Sequence, residues 1–131
     1  MIKYILIILI IFIAVNTNAY SIDFSKDISH IEEPRKNKII KNEQGNNISI
    51  DYIMVSLKDN IKNEFKTAQK LAKIVDGEII GRIPLMNSWQ IRVNVNSEEE
   101  IYKLVAILEK KDEVDFCFID IEINGEEPPP L

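Results

Sequence analysis

Apolar and polar residues alternate most clearly between Ile79 and Val95. Trp89, Ile91, Val93 and Val95 are interleaved with Ser88, Gln90, Arg92 and Asn94, the two-residue period of a strand that buries one face. Just before, Ile79, Gly81 and Ile83 alternate more weakly with Glu78, Ile80 and Arg82. Pro84 then removes a backbone donor where pairing should stop. The two runs predict a hairpin about a turn containing Pro84 and Asn87. Upstream, the run Ile50 to Leu57 sets Ile53, Val55 and Leu57 against Tyr52, Met54 and Ser56, which predicts a first strand.

A three- and four-residue period fills the gaps on either side of the hairpin. Ile61, Phe65, Ala68, Leu71, Ala72 and Val75 form one apolar stripe, with Asp59-Asn60 as candidate helix caps. Gly77 is expected to take the left-handed conformation that closes the helix. The second helix has the stronger start. Ser97 and Glu100 have capping-box spacing, and Glu98, Glu99 and Glu100 lie where the helix terminus is partially positive. Its apolar stripe is Ile101, Leu104, Val105 and Leu108.

The last strand begins at Val114, with Phe116 and Phe118 in its phase and Asp115 and Cys117 in the other. At Phe118-Ile119 the phase slips, and Ile119, Ile121 and Ile123 continue against Asp120 and Glu122. Such a slip marks a bulge or a strand leaving its sheet. The element order predicts an α+β, ferredoxin-like β-α-β-β-α-β fold, a four-stranded antiparallel sheet with two helices on one face. The other face is expected to be open. Its occupants would include Tyr52, Met54, Ile80, Gln90, Arg92 and Cys117, more apolar than a fully solvated face.

The ends read differently. Lys3, an apolar run from Tyr4 to Val15 and the small residues Thr17 and Ala19 have the layout of a secretory signal, with cleavage expected after Ala19. The run falls short of the about twenty residues that cross a bilayer, so a secreted or periplasmic location without stable membrane insertion is expected. Residues 20–47 show no sustained period and are expected to be a disordered linker, followed by a domain at 48–123. Asn124-Gly125 turns the chain into a proline-rich tail at 124–131.

Composition narrows the function further. A net charge of −5, from 16 Lys and Arg against 21 Asp and Glu, argues against nucleic-acid binding, which needs clustered cations. The basic run Arg35-Lys36-Asn37-Lys38 reads as solvated linker. With one histidine, His30, and one cysteine, Cys117, there is no nucleophile and base pair, no metal cluster and no internal disulfide; a phosphate loop is also missing. No enzyme, metal or cofactor is expected.

Residue by residue, Asp51 to Phe118 resembles the N-terminal prodomain of subtilisin-type serine proteases, in its fervidolysin-like branch. The matching pieces are YIMVSLKD, KLAKIVDGEIIGRIP, NSWQIRV and SEEEIYKLVAILEKKDEVDF, with GEIIGRIPLMNSWQIRV the most telling. The resemblance implies a propeptide-like module that binds a subtilisin-type protease and inhibits it or assists its folding. With no catalytic domain after Leu131 it is expected to act in trans. Tyr52, Met54, Gln90 and Arg92 would supply the docking face, and Asp115 would meet a helix N-terminus of the enzyme. Ile119, Asp120, Ile121, Glu122 and Ile123 would lie in the cleft like a substrate. Two alternatives stand beside it: a non-inhibitory extracellular assembly module, and the relic prodomain of a truncated protease gene.

Overall fold

The computed structural model describes residues 30–122. The expected leader at 1–19, residues 20–29 of the expected linker, Ile123 and the tail at 124–131 lie outside them. The elements are β1 (Ile39–Lys41), β2 (Asn47–Ser49), β3 (Tyr52–Leu57), α1 (Glu64–Ile74), β4 (Glu78–Ile83), β5 (Ser88–Arg92), α2 (Glu98–Glu109), β6 (Val114–Phe118) and β7 (Ile121–Glu122). The chain is α+β, with two helices and two antiparallel sheets. One sheet has four strands in the order β4-β5-β3-β6, the other three in the order β1-β2-β7. The second sheet is the departure from the single sheet expected.

The four-stranded sheet follows the alternation in the sequence. Ile53 pairs with Ile91 and Val55 with Trp89, and these residues share one core with Ala68, Leu71 and Ala72 of α1 and with Ile101 and Leu108 of α2. Both helices therefore cover the same face. Each such Ile or Leu contributes about 1.5–3 kcal/mol when withdrawn from water. The rings of Trp89 and Phe65 lie 5.7 Å apart, and the Arg82 guanidinium sits 4.6 Å from the Trp89 ring centre.

Helix ends were less legible than helix interiors. Asn63, not Asp59-Asn60, caps α1 by accepting a hydrogen bond from the Lys66 amide at 3.0 Å. At its other end Asp76, not Gly77, takes the left-handed conformation, at φ 51. The Asp76 amide donates to the Lys73 carbonyl at 3.2 Å and the Gly77 amide to the Ala72 carbonyl at 2.7 Å, the paired bonds of a Schellman closure. Gly77 is required for space instead: a Cβ there would lie 2.6 Å from the Arg92 carbonyl oxygen. At α2 the Ser97 hydroxyl accepts from the Glu100 amide at 3.2 Å as expected, whereas the Glu100 carboxylate accepts from Asn96 rather than Ser97. The hairpin turn is a single 3-10 turn, Pro84–Met86, closed by Asn87 in the left-handed region at φ 48.

The last strand corrects a phase. Leu57 pairs with Val114, but Ser56 pairs with Phe116, so Asp115 is an extra residue in a bulge. Val114 consequently points into the core with Cys117, which lies opposite Val55. Cys117 is thus on the helix side, not on the face where it was expected. Ile80 is displaced in the same way, because the β4–β5 ladder slips between Ile79 and Gly81 and leaves it without a cross-strand partner.

Residues 30–47, expected as part of a disordered linker, are ordered here. Residues 30–35 run as an extended strap, Lys36–Lys38 makes one 3-10 turn, and β1 pairs with β2. Ile48 and Ile50 join the core. The phase slip at Phe118-Ile119 is where β6 ends: Ile119 is buried, and Ile121 and Glu122 pair with Ile48 and Asn47 of the second sheet.

Candidate protein-binding face

The face of the large sheet turned away from the helices carries the even-numbered residues of β3 and β5. Tyr52 lies opposite Arg92, Met54 opposite Gln90 and Ser56 opposite Ser88. Four of the five residues assigned to docking by resemblance are therefore neighbours. Asp115 is not among them, being exposed in the bulge of β6.

This face is not open. Tyr52, Met54, Ser56, Ser88 and Gln90 are all buried, and the strap crosses it. The Arg82 amide donates to the His30 carbonyl at 2.7 Å. The Gln90 carboxamide then bonds Glu32 twice, accepting from its amide at 2.8 Å and donating to its carbonyl at 2.7 Å. Arg92 meets the Glu32 carboxylate at 2.9 Å. Farther along, Asp51 accepts from the Arg35 amide at 3.0 Å and from its guanidinium Nε at 2.8 Å. Burial alone would push the Asp51 carboxyl up, but these bonds from Arg35, with the charges of Arg35 and Arg92, hold it below the ordinary range.

Sequence reasoning missed this layer because its partners are far apart along the chain. Glu32 and Gln90 are separated by 58 residues, and a glutamine in the polar phase of a strand reads as solvated. The available signal was Gly81. A glycine inside a strand marks close backbone approach, and a Cβ here would come within 2.6 Å of the His30 carbonyl and 2.9 Å of the Ile31 Cα. His30 thus contributes its backbone.

What the strap leaves uncovered is apolar. Phe116 and Phe118 lie opposite Ser56 and Met54, stack with ring centres 6.0 Å apart, and remain 42% and 37% exposed. At the hairpin turn Leu85 is 97% exposed and Met86 47%. The Met86 carbonyl accepts from the Ser56 hydroxyl at 3.0 Å, which ties the turn to this half of the face.

The described part of the segment assigned to a protease cleft, Ile119 to Glu122, is held within the chain. Ile119 is in the core, the Asp120 carbonyl accepts from the Ser49 amide at 2.9 Å, and Ile121 and Glu122 are paired with β2. The Tyr52 hydroxyl reaches the Asp120 carboxylate at 3.4 Å. Burial and the negative charge of Asp120 raise the Tyr52 phenol to about 12. The Cys117 thiol is likewise raised to about 12, by burial and then by Glu109, so it is a thiol at neutral pH and a poor nucleophile.

Among the described residues no group of three or more His, Cys, Asp or Glu could hold a metal ion. No helix among them is long and apolar enough to cross a membrane. Compared with family models, with curated proteins and with solved structures, the chain matches none.

Proposed function

We propose that this chain is a propeptide-like protein-binding module that docks on a subtilisin-type serine protease, in trans and without chemistry of its own. The observation that carries the reading is the layout of the large sheet. Four antiparallel strands stand in the order second, third, first, fourth when numbered within that sheet, and both helices lie on one face, as in the ferredoxin-like arrangement. Phe116 and Phe118 add a stacked, exposed aromatic pair to the other face. Aromatic anchors of that kind carry a large share of binding energy in protein interfaces. Expected location outside the cytoplasm and the absence of a cofactor belong to the same reading.

The test is binding of the chain from Tyr20 onward to a panel of subtilisin-type proteases whose active serine has been chemically blocked, with inhibition of the active enzymes measured separately. Tight binding that falls at least tenfold in Phe116→Ser/Phe118→Ser, with unchanged circular dichroism, supports the docking face. No binding to any member of the panel overturns the reading.

A second reading is favoured by one observation: Ile121 and Glu122 are committed to β2 rather than free to enter a cleft. A module whose C-terminal segment stays there binds without inhibiting, as an assembly domain would. Binding to the blocked proteases with no inhibition of the active ones selects this second reading, whatever the partner in the cell.

A further inference from the structure

The strap is fastened to the sheet face in an unusual way. None of residues 30–35 is buried, so it gains little from the hydrophobic effect. The Glu32 and Arg35 side chains are 43% and 47% exposed. Beneath them the floor is the reverse: the side chain of Asp51 and the whole of Gln90 are fully buried. Buried polar groups without partners are costly, and here the partners come almost entirely from the strap. The strap is therefore held by polar bonds to the floor it covers, not by apolar burial of its own, and another extended chain offering the same groups could take its place.

The contacts also read sequence. Gln90 supplies one donor and one acceptor to a single residue's backbone, as a neighbouring strand would, and so selects an extended chain. Arg92 reads a carboxylate on that residue. Asp51 reads an arginine three positions on, through its amide and its guanidinium. Gly81 lacks the side chain that would keep a backbone from lying flat.

We infer that this face is a peptide-recognition groove for an extended segment with a carboxylate three residues before an arginine, and that residues 30–35 are its displaceable resident ligand. Resting on the proposed protease docking, the strap would also shield Gln90 and Arg92, so that its release precedes or accompanies full engagement of the face.

Two full-chain variants test the groove, Arg35→Glu and Glu32→Lys, each placing a like charge against the native floor. Hydrogen exchange should show the amides of residues 32 and 35 losing protection at least tenfold, while those of β3 and β5 keep theirs. The peptide of residues 30–36 is then titrated into the variants while the side-chain amide signals of Gln90 are followed. Saturable shifts are expected at about millimolar peptide, since tethering gives a segment an effective concentration of that order. Ala in place of arginine in the peptide should weaken binding at least tenfold. Retained protection at residues 32 and 35, or no peptide binding to a variant whose strap has lifted, overturns the inference. Gly81→Val lifts the strap from the floor side and should abolish peptide binding. The protease panel separates the two ideas: variants that bind the peptide but no protease remove the docking reading alone, whereas unchanged protease binding after strap release removes the shielding.

Discussion

The central strands β3 and β5 bury residues on both faces of the large sheet, but by opposite means. On the helix side Ile53, Val55, Leu57, Trp89 and Ile91 interlock with apolar residues of α1 and α2. On the other side Gln90 and Ser88 are as buried as Trp89, yet their neighbours are the strap backbone and hydroxyl groups. The Ser56 and Ser88 hydroxyls lie 2.6 Å apart. The apolar face is held by area and shape, which resist displacement. The polar face is held by satisfied bonds, whose net worth against water is small while the loss of a partner is expensive. The first is a core; the second is a fitted contact that another chain can imitate.

The largest expected effect breaks the helix side. Trp89→Ala should destabilise the protein by about 3–5 kcal/mol, as removal of a large buried side chain usually does, measured by denaturant unfolding. Asp51→Ala attacks the polar face and should cost about 1–3 kcal/mol, the penalty for unpaired groups; strap amides should lose protection while the helix signal persists. A comparable loss of helix signal in both variants would mean that the two faces form one cooperative unit.

Acid sharpens the same contrast. The Asp51 carboxyl is lowered in the folded protein, so its contribution is full above the unfolded value of about 4 and is lost as pH falls through the depressed folded value. Asp51→Ala should flatten that part of the acid limb, whereas Trp89→Ala should shift the whole stability curve down without changing its shape. Ser97→Ala touches neither face and removes only the α2 cap, so about 1 kcal/mol is expected. Last, absorbance titration should find one tyrosine ionising near pH 12, absent in Tyr52→Phe. Because the folded value is raised, the associated stability is present below the ordinary phenol value and is lost as pH rises through about 12.

What could be read from the sequence divides along the same line. The alternation in β3 and β5, the stripes of α1 and α2, the Ser97 cap and the turn at Asn87 are local, and residues a few positions apart carry the information. The strap, β1 and β7 were hidden because their reasons lie elsewhere in the chain. Ile39-Ile40 is too short a run to show a period, and Ile121–Glu122 is a strand only because Asn47 and Ile48 are beside it. Of the candidate site, Tyr52, Met54, Gln90 and Arg92 were found by their shared phase. Phe116 and Phe118 were displaced from the expected face by one bulged residue, Asp115, and Glu32 and Arg35 carried no local signal at all.

The small sheet also governs how the molecule responds to tension. β2 holds β1 on one edge and β7 on the other, with Ile39 opposite Ser49 and Glu122 opposite Asn47. β1 and β7 therefore run in the same direction, and the chain enters and leaves at opposite ends of β2. A pull on the two ends drags them past β2 in opposite senses, so their hydrogen bonds are strained together, in shear. The strap, met bond by bond from His30, peels first. From the N-terminal side, tension thus uncovers the sheet face before it reaches β1.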